Sequence, residues 1–132
     1  MPTATARTIT LQGAAGHLVD VQVDVSQGLV ATNLVGRADA AINEGRDRCR
    51  SAIRNSGWEW PATRRVTILL SPADLPKRGS HFDLAVAVGV LCASDESLQT
   101  LDLGGTVFLG ELTLEGQLRQ VPGVLPMVMA AS

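Results

Sequence analysis

Residues 17–25 alternate without a break, with Leu18, Asp20, Gln22 and Asp24 on one side and Val19, Val21, Val23 and Val25 on the other. A period of two with β-branched residues in phase fits a half-buried strand and no helix. Such a strand forces a sheet with one covered face, because a lone strand has nowhere to bury its valines. Ser26-Gln27-Gly28 supplies turn chemistry, residues 29–35 return as a second strand, and an earlier strand is expected at 8–12. Beyond Pro61, which blocks a helix, residues 65–70 read as a buried strand.

Between these strands the period changes. At helical spacing Ala38, Ala41, Ile42, Gly45, Cys49, Ala52 and Ile53 gather on one face of residues 38–56, and their small size implies close packing on a sheet. Arg46, Arg50 and Arg54 form a row beside that face, Glu44 and Arg48 are an i,i+4 pair, and Gly57 is the expected left-handed cap. Ser80 and Asp83 read as a structural cap, a capping-box variant in which the Ser80 hydroxyl takes an orphan amide and Asp83 reaches back. Residues 84–93 are apolar almost all round, which predicts a central helix. Residues 106–118 read as a strand pair turning at Glu115-Gly116, and a last helix begins after Pro122-Gly123. A chain that stops inside a helix is expected to belong to something longer. The order β-β-β-α-β-α-β-β-α describes an α+β sandwich in one domain over residues 1–132, with the last helix truncated. Neither G-x-x-x-x-G-K-S/T nor G-x-G-x-x-G follows any strand, which excludes a P-loop or Rossmann unit and leaves no cofactor site.

With 45% hydrophobic but only 3% aromatic residues, the core must be aliphatic, and only Trp58, Trp60, Phe82 and Phe108 could stack on bases. The net charge of −2 hides an asymmetry: residues 37–78 hold nine Lys/Arg against five acids, whereas residues 79–132 hold one Arg against six acids. Such polarity suits docking between copies, or phosphate contact by the basic half. Cys49 and Cys92 match no metal spacing and read as buried thiols of a reducing cytoplasm. The first residues carry no apolar signal region, and no run reaches the ~20 apolar residues of a membrane span, so a soluble cytoplasmic protein is expected.

Candidate chemistry is sparse. His17 and His81 stand alone as metal ligands, and Glu111 and Glu115 read as solvated hairpin charges rather than paired catalytic acids. Ser80, His81 and Asp83 resemble a triad only in their letters, since neighbours on one helix diverge by about 100° per residue. The open case is basic: Arg46, Arg50 and Arg54, flanked by Arg64, Arg65, Lys77 and Arg78, suit either single-stranded or branched DNA or subunit docking.

Five segments carry a family resemblance: GAAGHLVDVQVDVSQGLV, VGRADAA, EGRDRCRSAI, SPADLPKRGSHFDL and LGELTLEGQLRQVPGVLP. Together they resemble the N-terminal domain of the YifB/ComM family of Mg-chelatase-like AAA+ ATPases and, more distantly, the proteolytic domain of Lon. Val30 and Arg37-Ala38 stand where the family has Pro and Leu-Pro. The resemblance implies a two-layer Lon-protease-like sandwich with an AAA+ module downstream. It implies a hexameric full-length protein using ATP and Mg and acting on DNA as a helicase in branch migration, natural transformation or recombination. The domain itself would serve assembly or DNA guidance without catalysis. Against Lon's Ser-Lys dyad, the serine slot falls on His81 and the lysine on Leu125, which cannot act as a base. Lys77 is expected in an exposed turn, charged. Two alternatives stay open: a vestigial Lon-like peptidase, which a neutral lysine near Ser80 would mark, and a magnesium-chelatase-type ATPase subunit.

Overall fold

The computed structural model describes residues 3–132. Its spine is a sheet in the order β1-β2-β4-β3, built from β1 (Thr3–Gln12), β2 (Ala15–Ser26), β3 (Ala31–Val35) and β4 (Arg65–Ser71). β1 and β2 are an antiparallel hairpin, and β4 pairs antiparallel with β2 and parallel with β3. A parallel neighbour needs a crossover, and α1 (Ala40–Asn55) supplies it between β3 and β4. The alternation in β2 decides which face is covered. Val19, Val21, Val23 and Val25 are at most 4% exposed, and the register sets Val21, Val23 and Val25 against Leu70, Ile68 and Val66 of β4.

Two helices cover that face. α1 buries Ile42, Gly45, Cys49, Ala52 and Ile53, the face its spacing predicts. α2 (Asp83–Ser94) is buried on nearly every side, as an all-round apolar helix must be. A Cβ on Gly89 would lie 2.8 Å from Val23 Cγ2, so the missing side chain sets how closely α2 approaches the sheet. The result is an α+β sandwich. A short third helix, α3 (Val124–Ala131), lies on the other face of the β1-β2 hairpin, burying Met127 against it.

Three boundaries differ from the sequence reading. β1 begins at Thr3 rather than residue 8, because its Thr/Ala start carries little hydrophobic signal but pairs with β2 along its whole length. β3 begins at Ala31, leaving Leu29 and Val30 exposed. The strand pair expected over 106–118 shrinks to β5 (Glu111–Leu112) and β6 (Leu118–Arg119). Its first part has another partner: Val107 bridges to Arg7 of β1, and the Phe108 N–H donates to the Arg7 carbonyl at 2.8 Å. Among the described residues, no helix is long and apolar enough to cross a membrane.

Candidate functional site

The residues with any claim to chemistry lie between β4 and α2, where Lys77, Ser80, His81 and Asp83 follow one another in the chain. Lys77 corrects the sequence reading most sharply. It is 1% exposed, not displayed in a turn. Its Nζ donates to the Gly36 carbonyl at 2.7 Å and to the Pro72 carbonyl. Burial lowers its pKa, assisted by nearby Arg37 and opposed by Asp74. Gly36 makes this possible. Its φ is 119°, and a Cβ there would meet the Leu70 carbonyl oxygen at 2.4 Å, so only glycine turns the chain after β3 and aims its carbonyl at the amine.

Asp39 anchors the next stretch. One carboxylate oxygen caps α1 by accepting from the Ile42 N–H at 2.9 Å, and the other accepts from the Gly79 N–H at 3.1 Å. Gly79 adopts φ 107°, and a short 3₁₀ turn, Ser80–Phe82, then leads into α2. No side chain caps this turn or the helix after it, which overturns the capping box expected of Ser80 and Asp83. The Asp83 N–H that a Ser80 cap would take donates instead to the Ser80 carbonyl within the 3₁₀ turn, the Leu84 N–H donates to the Gly110 carbonyl at 3.0 Å, and the Asp83 carboxylate is drawn elsewhere.

That destination is Arg48. Its Nε donates to Asp83 Oδ2 at 2.7 Å and its Nη2 to Oδ1 at 3.1 Å, while the Leu112 N–H donates to Oδ2 at 3.0 Å. Asp83 is 1% exposed, so this fork joins α1, α2 and β5 inside the protein. Burial pushes the Asp83 carboxyl up against the pull of Arg48 and the Leu112 amide, and the Arg48 guanidinium is raised chiefly by its bond to Asp83. Gly45 leaves room: a Cβ there would sit 2.3 Å from Asp83 Oδ1. His81, also buried, places Nε2 at 2.5 Å from the Ile9 carbonyl, which assigns the proton to Nε2, and burial lowers its pKa. Leu125, the position matching Lon's lysine, is 70% exposed on α3, across the sheet from α2. Lys77 and Asp83 are therefore bonded to groups other than Ser80, His81 donates from Nε2 to Ile9, and among the described residues no hydrogen bond joins the Ser80 hydroxyl to any of the three.

The arginine row is also largely occupied. Arg46 donates to the Thr32 carbonyl at 3.2 Å, and the Arg50 guanidinium lies 5.5 Å from the centre of the Trp60 ring. Arg54, Arg64, Arg65 and Arg78 are exposed. Arg54, Arg64 and Arg65 stand where α1 ends and β4 begins, whereas Arg78 follows the far end of β4. Glu111 pairs with Arg119 at 3.6 Å, and among the described residues no cluster of His, Cys, Asp and Glu could hold a metal.

Comparison with known proteins bears on this arrangement directly. The sequence profile described as "Subunit ChlI of Mg-chelatase" matches residues 21–132. The chain belongs to the ChlI family. Among its ChlI-type relatives are the competence protein ComM of Haemophilus influenzae, 44% identical over 90% of this chain and 23% of its own length, and YifB of Escherichia coli, 47% identical over 81% of this chain and 21% of its own. An uncharacterised Mycobacterium tuberculosis protein is 45% identical over 96% of this chain and 25% of its own length. The chain thus spans about a quarter of the length of the curated relatives it matches. In this ChlI-family domain the sequence reading missed the double role of Asp39 and the Arg48–Asp83 fork, having paired Arg48 with Glu44 alone. One signal was present: an acid at the head of an all-apolar helix needs a buried cationic partner.

Proposed function

We propose that this chain is the noncatalytic, Lon-protease-like N-terminal domain of a longer Mg-chelatase-like AAA+ ATPase that acts on DNA, and that it serves assembly or DNA guidance. The observation that carries the proposal is that Lys77, Asp83 and His81 Nε2 are committed to structural bonds and none of the three residues is hydrogen-bonded to the Ser80 hydroxyl. With no phosphate-cradling motif in these residues, we infer that ATP and Mg are used by the remainder of the full-length protein, which we expect to be a cytoplasmic hexamer. The name of one relative, a competence protein, supports a role in natural transformation, and the family resemblance extends the proposal to branch migration or recombination. The ChlI match supports a second reading, a magnesium-chelatase-type ATPase subunit, which requires the full-length protein to support metal insertion into a tetrapyrrole.

The cations left for DNA are Arg54, Arg64 and Arg65, with Arg78 at the opposite end of β4. So few phosphate contacts predict sequence-independent binding with dissociation constants on the order of 10⁻⁴ to 10⁻⁶ M, weakening steeply with salt. Anisotropy of labelled single-stranded and branched DNA tests this. Arg54→Glu with Arg65→Glu should remove binding at an unchanged melting temperature. If binding survives while the full-length variant fails to assemble in sedimentation, the arginines dock subunits instead. Labelling of Ser80 by a serine-hydrolase probe would reject the noncatalytic reading.

A further inference from the structure

A cleft of about 700 Å³ opens at the end of the sheet where β2 finishes and β4 begins. Its walls are the α1–β4 loop on one side and the end of α2 with the following 3₁₀ turn (Glu96–Leu98) on the other, over a floor at Val25. Trp58, 41% exposed, stands in it as one of only two tryptophans in the chain. The backbone that carries the indole is held in place, since the Trp58 backbone N–H donates to the Ile53 carbonyl at 3.1 Å and neighbouring Trp60 is buried beneath the Arg50 guanidinium. A half-open indole on a fixed backbone is the kind of group that anchors a partner at low entropic cost.

The charge lining the cleft decides what that partner is. Glu59, Asp95 and Glu96 face a single cation, Arg64, so the lining carries an excess of negative charge. Asp95 already accepts from the Ser97 N–H at 2.9 Å and the Ser97 hydroxyl at 2.6 Å, which leaves the exposed Glu59 and Glu96 carboxylates for a ligand. A phosphate backbone would be repelled by this lining, so Trp58 is not a base-stacking platform. A guanidinium is favoured twice over, because it stacks on an indole face and forks onto carboxylates. The protein makes the stacking contact once internally, between Arg50 and Trp60.

We propose that this cleft binds an extended, arginine-bearing peptide segment of a partner protein, with Trp58 stacking on the guanidinium and Glu59 and Glu96 holding its charge. The site is separate from the Lys77–Asp83 region and requires no role for the domain in DNA binding.

The test titrates a capped hexapeptide of alternating arginine and proline, which is already extended in water, into the ¹⁵N-labelled chain. The readout is the Trp58 indole N–H together with the Glu96 backbone amide, with the backbone amides of α3, which lines no part of the cleft, as internal control. Expected is a saturable, salt-sensitive shift of both signals, weakened about two- to fivefold in Glu96→Gln and strengthened by a similar factor in Arg64→Gln, with the Glu96 amide shift abolished in Trp58→Ala. Glu96 and Arg64 are exposed, so those two variants keep the test sharp even if Trp58→Ala disturbs the loop. No Trp58 shift at millimolar peptide would overturn the proposal, as would an equal shift from the same peptide with glutamate for arginine. A saturable Trp58 shift from an oligothymidylate that Glu96→Gln strengthens would replace it with nucleic-acid binding.

Discussion

Replacing Arg48 by alanine removes the bonds at 2.7 and 3.1 Å to the Asp83 carboxylate and leaves the Leu112 amide at 3.0 Å as its remaining partner. The Asp83 side chain is only 1% exposed, so the charge cannot turn to solvent. Removing one member of a buried pair typically destabilises by about 3–5 kcal/mol. The Arg48 side chain is itself 21% exposed, which lets water follow into the gap and shifts the expected loss somewhat below that range, to about 2–4 kcal/mol. Against a total stability of about 5–15 kcal/mol this is a large loss, and at about 3–5 °C per kcal/mol it lowers the Tm by roughly 6–20 °C. Urea denaturation at neutral pH, beside a thermal melt, measures it. The pH dependence has a definite sign. Without Arg48 the folded-state carboxyl rises further above its ordinary 3.8, and a raised carboxyl loses stability as pH increases, so the deficit against the parent should grow from about pH 4 to 7. Arg48→Met with Asp83→Asn keeps an acceptor for the Leu112 amide and removes both charges, so it should recover much of the loss. A loss below about 1 kcal/mol in Arg48→Ala, the range of an exposed pair, would refute the reasoning. So would a double variant no more stable than the single one.

Gly45→Ala should destabilise by about 1–3 kcal/mol despite alanine's better helix propensity, because the new Cβ meets Asp83 Oδ1 at 2.3 Å; denaturant midpoints check this. His81 is neutral in the fold with a lowered pKa, so it contributes stability above its ordinary 6.5 that is lost as pH falls; urea midpoints should drop between about pH 7 and 5.5, and His81→Gln should flatten that slope. Ser80→Ala should shift stability by less than about 0.5 kcal/mol, since no side chain caps the turn. Leu125→Lys, at a site 70% exposed, should leave the Tm unchanged and create no peptidase activity against a casein substrate.

Local sequence settled the elements whose signal is periodic. The alternating valines of β2, the small-residue face of α1 and the apolar run of α2 each name the surface they bury, because periods of two and of about 3.6 residues are properties of the backbone alone. The family resemblance was equally legible, carried by five segments spread along the chain. What depended on residues far apart was not legible. Lys77 looked exposed among Pro76 and Arg78, yet the carbonyl of Gly36, brought alongside by β3, closes over its amine. Ser80 and Asp83 had the letters of a capping box, but the Asp83 N–H went to the Ser80 carbonyl in a 3₁₀ turn and the Arg48 guanidinium took the Asp83 carboxylate from 35 residues away in sequence. Arg46 and Arg50 belonged to a regular basic row until a strand carbonyl and an indole occupied them. A polar group takes the strongest partner that the packed fold brings within about 3 Å, and sequence spacing ranks only the partners within a few residues. Periodicity therefore fixed which faces are buried, while the fate of each buried charge was decided only when the helices met the sheet.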